Sequence, residues 1–185
     1  MRPLRYSINV SLDGRCNHDC PGFMIDEHTH GLAEQTIAGA DAILLGRVTY
    51  QLMEDGWRWD GPPPAEMPEW MLPFQQTIDA SKKYVVSSTL DEVDWNSELL
   101  EGDIETAVRE LKEQPGEGIY VGGVSLPQAL IELDLIDEFE FVVHPVITGQ
   151  GRVLFDGLSK PLDLRMVSRQ DLPGGQTAVK YEPVR

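Results

Sequence analysis

The run Ala42-Ile43-Leu44-Leu45 places four apolar residues in a row and ends at Gly46. A strand that shows one face to the core alternates apolar and polar residues, so this uninterrupted run indicates a strand buried on both faces. Strands of that kind occur in parallel sheets that are covered by helices on both sides. The run therefore predicts an α/β fold and places Gly46 at the end of an interior strand.

The rest of the chain supplies further strands and helices in an order that suits such a sheet. Patterns typical of strands cover residues 4–12, 83–88, 119–121, 139–143, 162–169 and 177–181. Patterns typical of helices cover residues 26–39, 49–53, 103–114 and 126–133. The proline-rich segment 60–73 is predicted to be a loop with at most one helical turn. We expect one domain over residues 1–185, with a mainly parallel sheet, an antiparallel C-terminal edge and helices on both faces.

The charge balance excludes several classes of partner. The 185 residues include 15 Lys+Arg and 31 Asp+Glu, a formal net charge of −16. A surface this acidic opposes binding to nucleic acid or to an anionic membrane. No apolar run approaches the roughly 20 residues that cross a bilayer, and the first residues lack the apolar core of a signal peptide. These observations favour a cytoplasmic protein that acts on a small molecule.

Three segments at predicted strand ends carry groups that suit an anion. Ligands of open α/β sheets bind beyond the carboxyl ends of the strands, where loops and helix N-termini meet. Each segment alone is also compatible with a plain turn, because none matches a standard phosphate-binding fingerprint. Together they predict a dinucleotide site. The segments are Gly46-Arg47-Val48-Thr49, Ser87-Ser88-Thr89 and Gly122-Gly123-Val124-Ser125-Leu126.

These same segments carry a resemblance that covers nearly the whole chain. Residues 42–50, 84–88 and 119–123 resemble, in this order, the motifs of the dihydrofolate reductase fold. Residues 11–15 and 145–155 are more similar to the reductase domain of the bacterial riboflavin-synthesis deaminase-reductases. The resemblance implies the dihydrofolate reductase-like fold and places the chain among small stand-alone members of that superfamily.

The resemblance implies that NADPH binds across the sheet. Gly46, Arg47 and Thr49 would hold phosphates, with Arg47 on the 2′-phosphate that distinguishes NADPH from NADH. Ser87, Ser88 and Thr89 would line the adenosine side. The pyrophosphate and nicotinamide ribose would then meet Gly122, Gly123, Val124, Ser125 and Leu126.

The implied activity is the NADPH-dependent reduction of a small heterocyclic or carbonyl substrate, in the manner of 5-amino-6-(5-phosphoribosylamino)uracil reductase in riboflavin biosynthesis. Dihydrofolate reduction is one alternative, and an NADPH-binding sensor without turnover is another. Relatives in this branch pair as dimers, so the resemblance also implies a homodimer, with strand 139–143 and the C-terminal strands as candidate interface.

The catalytic group is predicted less directly. Dihydrofolate reductases carry a carboxylate on the first helix near the substrate, and counting back from Gly46 places His30 at that position. Asp13, at the end of the first strand, is the candidate polar anchor, although an Asp before Gly also commonly forms a turn. Arg15 and Arg152 are the candidates for binding a substrate phosphate.

A metal site is the rival interpretation of the early histidines and cysteines. Thiolate and imidazole are the ligands that zinc prefers. However, the cysteines are four positions apart, looser than the usual pair, and no second pair exists to complete a tetrahedral site. We therefore expect free thiols and no metal. The residues in question are Cys16, His18, Cys20, His28 and His30.

Overall fold

The computed structural model describes residues 1–16 and 22–185. The strands in these ranges are β1 (Leu4–Ser11), β2 (Ala42–Gly46), β3 (Lys82–Val86), β4 (Ser97–Leu99), β5 (Ile119–Val121), β6 (Glu138–His144), β7 (Leu164–Asp171) and β8 (Thr177–Pro183). The helices are α1 (Glu27–Ala38), α2 (Arg47–Trp57), α3 (Leu72–Ala80), α4 (Ile104–Glu113) and α5 (Ser125–Glu132), with a 3₁₀ turn at Glu69–Met71. None of the helices in these ranges is long and apolar enough to cross a bilayer.

The strands form one sheet in the order β4-β3-β2-β5-β1-β6-β8-β7. Every neighbouring pair from β4 to β6 is parallel, whereas β8 is antiparallel to β6 and β7 is antiparallel to β8. The predicted fold class is confirmed. Parallel strands need crossover connections, and helices on both faces of the sheet supply these except between β3 and β4, which are connected by a loop.

The two faces of the sheet bury separate apolar cores. Leu44 of β2 belongs to the core under α4 and α5, while its neighbours Ile43 and Leu45 belong to the core under α1 and α3. All three side chains are at most 2% exposed. Because successive side chains of a strand point to opposite faces, only a continuous apolar run can fill both cores.

Local signals explain where the helices begin. Asp26 accepts hydrogen bonds from the backbone N–H groups of His28 and Thr29, and the Thr29 hydroxyl in turn accepts a bond from the backbone N–H of Asp26. This capping box satisfies N–H groups that have no partner within the helix. Asp103 caps α4 by accepting a hydrogen bond from the backbone N–H of Thr106. Both helices therefore begin next to the residues where the sequence predicts them.

The sequence missed one helix and one strand, and it placed the ends of two other elements wrongly. Helix α3 was missed because the prolines before it indicate a loop, yet Pro73 lies in its first turn, where proline has no hydrogen bond to lose. Strand β4 is three residues long and was also missed. Strand β3 ends at Val86, so Ser87 and Ser88 lie in the turn beyond it, and α2 is longer than the predicted 49–53.

Candidate functional site

The predicted anion-binding segments meet at one edge of the sheet. Because β2, β3 and β5 are parallel, their carboxyl ends lie on the same side. Gly46 leads directly from β2 into α2, and Gly122 to Val124 connect β5 to α5. This is the edge where ligands of open α/β sheets bind.

The turns after β2 and β5 are in direct contact. Gly123 has φ +90°, and a Cβ atom placed there would collide with Oγ1 of Thr49. A Cβ on Gly46 would lie 3.5 Å from Cβ of Leu126. The two turns thus pack closely enough that glycine is required at position 123.

The buried Tyr6 of strand β1 stabilises the turn that contains Gly123. The Tyr6 hydroxyl donates a 3.0 Å hydrogen bond to the carbonyl oxygen of Gly123. Burial raises the pKa of Tyr6 well above its ordinary value, so the hydroxyl remains a donor at all physiological pH values. The sequence did not single out Tyr6, since a tyrosine in an alternating strand carries no functional signal by itself.

Beside these turns lies an open groove of about 770 Å³. Arg47 is exposed at this groove, where its Nη1 donates to Oε1 of Gln51 at 3.1 Å. No carboxylate in the described part of the chain lies within ion-pair distance of Arg47, so its charge is available to a ligand. Two carboxylates, Asp91 and Glu101, also face the groove. The lining residues are Arg47, Val86, Ser87, Ser88, Thr89, Leu90, Asp91, Leu99, Leu100, Glu101 and Gly102.

The hydroxyl of Ser87 has a local role in this groove. Its Oγ accepts hydrogen bonds from the backbone N–H groups of Thr89 and Leu90, at 3.1 and 3.0 Å. Such a side-chain turn fixes the course of the backbone after the strand. Ser87 therefore shapes the wall that Ser88 and Thr89 present to the groove.

Asp13 connects the turn after β1 to the loop after β6 through hydrogen bonds, and we call this contact the loop junction. Its carboxylate accepts from the Ser11 hydroxyl at 2.6 Å and from the backbone N–H groups of Thr148 and Gly149 at 3.1 and 2.8 Å. These bonds, the Ser11 bond foremost, hold the pKa of Asp13 well below its usual range. Asp13 is thus ionised at neutral pH and joins the β1 turn to the loop after β6.

The two arginines proposed for a substrate phosphate lie at this same junction. Nη1 of Arg15 donates to the carbonyl oxygen of Gly151 at 2.8 Å, and its Nε is 3.6 Å from Asp13. Nη2 of Arg152 donates to the Ser125 hydroxyl at 3.2 Å, at the start of α5. Both guanidinium groups therefore make contacts within the protein.

His30 lies among aromatic side chains. Its ring centroid is 5.5 Å from that of Trp57, 5.1 Å from Trp70 and 4.9 Å from Phe74. Burial lowers the pKa of His30 below its ordinary value, so the imidazole is neutral at pH 7. The two predicted catalytic residues thus belong to different surroundings. These aromatic neighbours come from segments distant in the chain. Counting positions back from Gly46 therefore could not predict that they surround His30.

The described members of the Cys/His group do not converge. Cys16 is buried, with its Sγ 3.5 Å from the carbonyl oxygen of Arg152, whereas His28 is exposed on α1 beside Glu27. His18 and Cys20 lie outside the described residues. Within residues 1–16 and 22–185, no group of three or more His, Cys, Asp or Glu side chains is placed to hold a metal ion.

A mainly parallel sheet with an antiparallel β8–β7 edge and two touching glycine turns at its carboxyl edge defines a protein of the dihydrofolate reductase-like class. The fold is similar to that of dihydrofolate reductase from Enterococcus faecalis, a structure complexed with NADP(H) (TM-score 0.64, 13% identity, 99% of this chain and 97% of that one). It is also similar to a diaminohydroxyphosphoribosylaminopyrimidine deaminase/5-amino-6-(5-phosphoribosylamino)uracil reductase from Thermotoga maritima (TM-score 0.68, 18% identity, 99% of this chain and 57% of that one).

Sequence comparison narrows the class to one family. The family model of the RibD C-terminal domain matches residues 2–177. The uncharacterized protein YyaP of Bacillus subtilis is 33% identical over 142 residues, which are 76% of this chain and 73% of that protein. The chain belongs to the RibD C-terminal domain family.

Proposed function

We propose that the protein is an NADPH-dependent reductase of a small heterocyclic or carbonyl substrate, active in the cytoplasm. The observation that carries this proposal is the contact between Thr49 and Gly123. It unites two anion-compatible turns beside a groove that contains the available charge of Arg47. Membership of the RibD C-terminal domain family supports the same activity.

The residues at the sheet edge fit a dinucleotide. Backbone N–H groups of Gly46 to Thr49 and of Gly123 to Ser125 would bind its phosphates, while Gly122, whose N–H donates to the carbonyl oxygen of Leu44, would leave room for them. The groove beyond Val86 would take the adenosine. The nicotinamide, when bound, supplies the hydride, while the protein binds and orients both reactants. Asp13, being ionised and fully engaged, acts by holding the loops. His30, as a neutral imidazole, is the better candidate to form a hydrogen bond with the substrate.

The first prediction concerns the choice of cofactor. Replacing Arg47 by alanine removes a charge-assisted contact worth about 1.5–3 kcal/mol, so we expect NADPH affinity to fall about 10- to 100-fold. The affinity for NADH, which lacks the 2′-phosphate, should fall less than about threefold. Calorimetric titration with both cofactors measures the difference.

Arg109→Ala is the matched control, because Arg109 lies on the exposed side of α4 and is paired with Glu105 at 2.7 Å. This variant should bind NADPH as the wild type does. Equal losses of NADPH and NADH in Arg47→Ala would contradict the 2′-phosphate role. Tight NADPH binding without oxidation by any acceptor would favour a sensor without turnover.

We also propose a homodimer formed through β7. This edge strand is exposed over nearly its whole length, and Met166 and Val167 are 59% and 50% exposed. An exposed strand edge with apolar side chains favours pairing with a second copy. The edges of β6 are paired with β1 and β8, so the predicted interface at 139–143 would use a face of this strand and not an edge.

The test is the solution mass of the 20.7 kDa chain. Sedimentation equilibrium should give twice this mass for the wild type. Val167→Asp should give a folded monomer, because a carboxylate would be buried in the interface without a partner. A monomeric wild type, or a dimer insensitive to this substitution, would refute the proposed interface.

A further inference from the structure

A second cavity lies on the α5 side of the sheet, beside the segment that leads from β6 to β7. Its volume is about 540 Å³, within the range of roughly 300–1,000 Å³ that is typical of small-molecule sites. None of its lining residues also lines the groove beside Arg47. The apolar part of the lining includes Ile131, Phe139, Phe155, Leu158, Leu162 and Leu164. A ligand that fills the cavity would remove these side chains from water.

The charged groups of this cavity favour an uncharged ligand. Lys160 supplies the one ammonium group of the lining, and its Nζ is 3.0 Å from Oδ2 of Asp134. An anionic ligand would meet the carboxylate of Asp156, which also lines the cavity, without an unpaired cation among the lining residues. A cationic ligand would lose its hydration against the apolar walls. We therefore expect a ligand without charge.

Two aromatic rings of the cavity wall pack against Tyr6. The ring centroids of Phe155 and Phe139 lie 6.2 and 6.3 Å from that of Tyr6, both in edge-to-face arrangements. The Tyr6 hydroxyl in turn donates its hydrogen bond to the carbonyl oxygen of Gly123, in the turn after β5. One side chain therefore connects the cavity to the turn that would bind the cofactor.

The cavity wall is strained at Phe155. This residue has φ +62°, in the left-handed region that bulky side chains rarely adopt. Such a conformation persists only where the surrounding structure holds it. The Phe155 ring packs on Tyr6 and Phe141, and it also lines the open cavity. A ligand in the cavity would hold this ring in place and so favour the form in which Tyr6 is bonded to Gly123.

From this geometry we propose that the cavity is a regulatory site for an uncharged apolar ligand, and that its occupation raises the affinity for NADPH. The ligand favours one form of the protein because it contacts Phe155 where that ring packs on Tyr6. The effect on affinity rests on the proposed NADPH site, whereas ligand binding in the cavity does not.

A matched pair of fluorescent probes tests the ligand class. N-phenyl-1-naphthylamine is uncharged, and 8-anilinonaphthalene-1-sulfonate has the same rings with an added sulfonate. Titration of the full chain should show that the uncharged probe binds at least threefold more tightly than the sulfonate. Tighter binding of the sulfonate, or binding of neither probe, would overturn the proposal.

Two variants locate the binding site. We expect Leu158→Glu and Leu162→Glu each to weaken the uncharged probe at least tenfold, because each places a carboxylate in the cavity. Val184→Glu is the matched control, since Val184 is 61% exposed and does not line the cavity, and it should change the affinity less than twofold. Thermal melting shows which variants are folded. If either folded cavity variant binds the probe as the wild type does, the cavity is not the site.

The effect on the cofactor is measured by calorimetry. Saturating N-phenyl-1-naphthylamine should raise the affinity for NADPH at least threefold, and saturating NADPH should raise the affinity for the probe by the same factor. Tyr6→Phe keeps the ring and removes the hydroxyl, so it should bind the probe within twofold of the wild type while its NADPH affinity no longer responds. An unchanged or lower NADPH affinity of the wild type with the probe bound, or a response that persists in Tyr6→Phe, would refute the regulatory role.

The same titrations separate this proposal from the reductase proposal. If NADPH binds and neither probe does, the cavity proposal fails while the reductase proposal remains. If the uncharged probe binds through Leu162 and NADPH does not bind, the reductase proposal and the regulatory role both fail while the cavity remains a ligand site.

Discussion

Gly123→Ala is expected to lower NADPH affinity about 30- to 100-fold. The added methyl group would collide with Oγ1 of Thr49, so the turns after β2 and β5 must move apart. Backbone N–H groups from both turns then no longer meet one ligand, and a loss of this size corresponds to about 2–3 kcal/mol. Calorimetric titration with NADPH measures it directly.

Gly157→Ala is the matched control for backbone strain. Gly157 has φ +84°, close to the +90° of Gly123, but a Cβ atom placed on Gly157 would have no neighbour within 4 Å. Alanine disfavours the left-handed region, so both variants should lose about 1–2 kcal/mol of unfolding free energy to backbone strain. Gly123→Ala should lose more, because its methyl group also collides with Thr49. Only Gly123→Ala should also lose cofactor affinity. Equal NADPH affinities in the two variants would show that the contact between the turns does not support binding.

A double variant isolates the collision itself. Adding Thr49→Ala to Gly123→Ala removes the Oγ1 atom that the new methyl group meets. The loss of unfolding free energy in the double variant should then be smaller than the sum of the two single losses, which is the signature of two residues that interact directly. Independent, additive losses would mean that strain at position 123 alone explains the damage.

Much of the fold could be predicted because its signals are local. The run Ala42 to Leu45 specifies an interior strand, and Asp26 and Asp103 specify helix starts, each within a few residues of chain. β4 could not be predicted from such signals. Its three residues pair only because β3 offers an edge, which is a property of the assembled sheet.

The site could be predicted in its glycine turns but not in its contacts. Gly46 and Gly122-Gly123 carry a local signal, since glycine after a strand allows a ligand to approach. Their meeting through Thr49 depends on β2 lying beside β5, an order that no short segment encodes. Asp13 illustrates the same limit, because its bonds to Thr148 and Gly149 join residues 135 and 136 positions apart.

Lys83 is buried, although lysine side chains are usually exposed to solvent. It is fully buried in β3, and its Nζ donates to the carbonyl oxygens of Asp79, Ser81 and Trp95 at 3.3, 2.9 and 3.1 Å. The ammonium group also lies 3.9 Å from the centroid of a Trp95 ring. These contacts join the end of α3 to the segment before β4, and they place a positive charge next to carbonyls at a helix C-terminus.

The burial of Lys83 should make the unfolding free energy of the protein depend on pH. Burial lowers the pKa of Lys83 from 10.5 to about 8. Between these values the unfolded chain still holds a proton that the folded protein has lost, so this group makes stability rise with pH. From pH 7 to 10 the contribution is about 2 kcal/mol. Below pH 8 the folded protein carries the full cost of the buried charge.

Lys83→Met should therefore change how the unfolding free energy depends on pH, and not only shift it by the same amount at every pH. Urea unfolding at several pH values gives the difference in unfolding free energy between wild type and variant. As the pH rises from 7 to 10, that difference should move by about 2 kcal/mol in favour of the wild type, because methionine has no proton to lose. Taking the difference cancels the titration of all groups that the two proteins share.

Lys82→Met provides the control, because the neighbouring side chain points to the surface and contacts Glu98 at 3.0 Å. The same substitution there removes no buried charge, so its difference from the wild type should stay within about 0.5 kcal/mol across the pH range. If the Lys83→Met difference is equally constant, the ammonium group keeps its proton on folding. The three carbonyl contacts would then offset the burial of its charge.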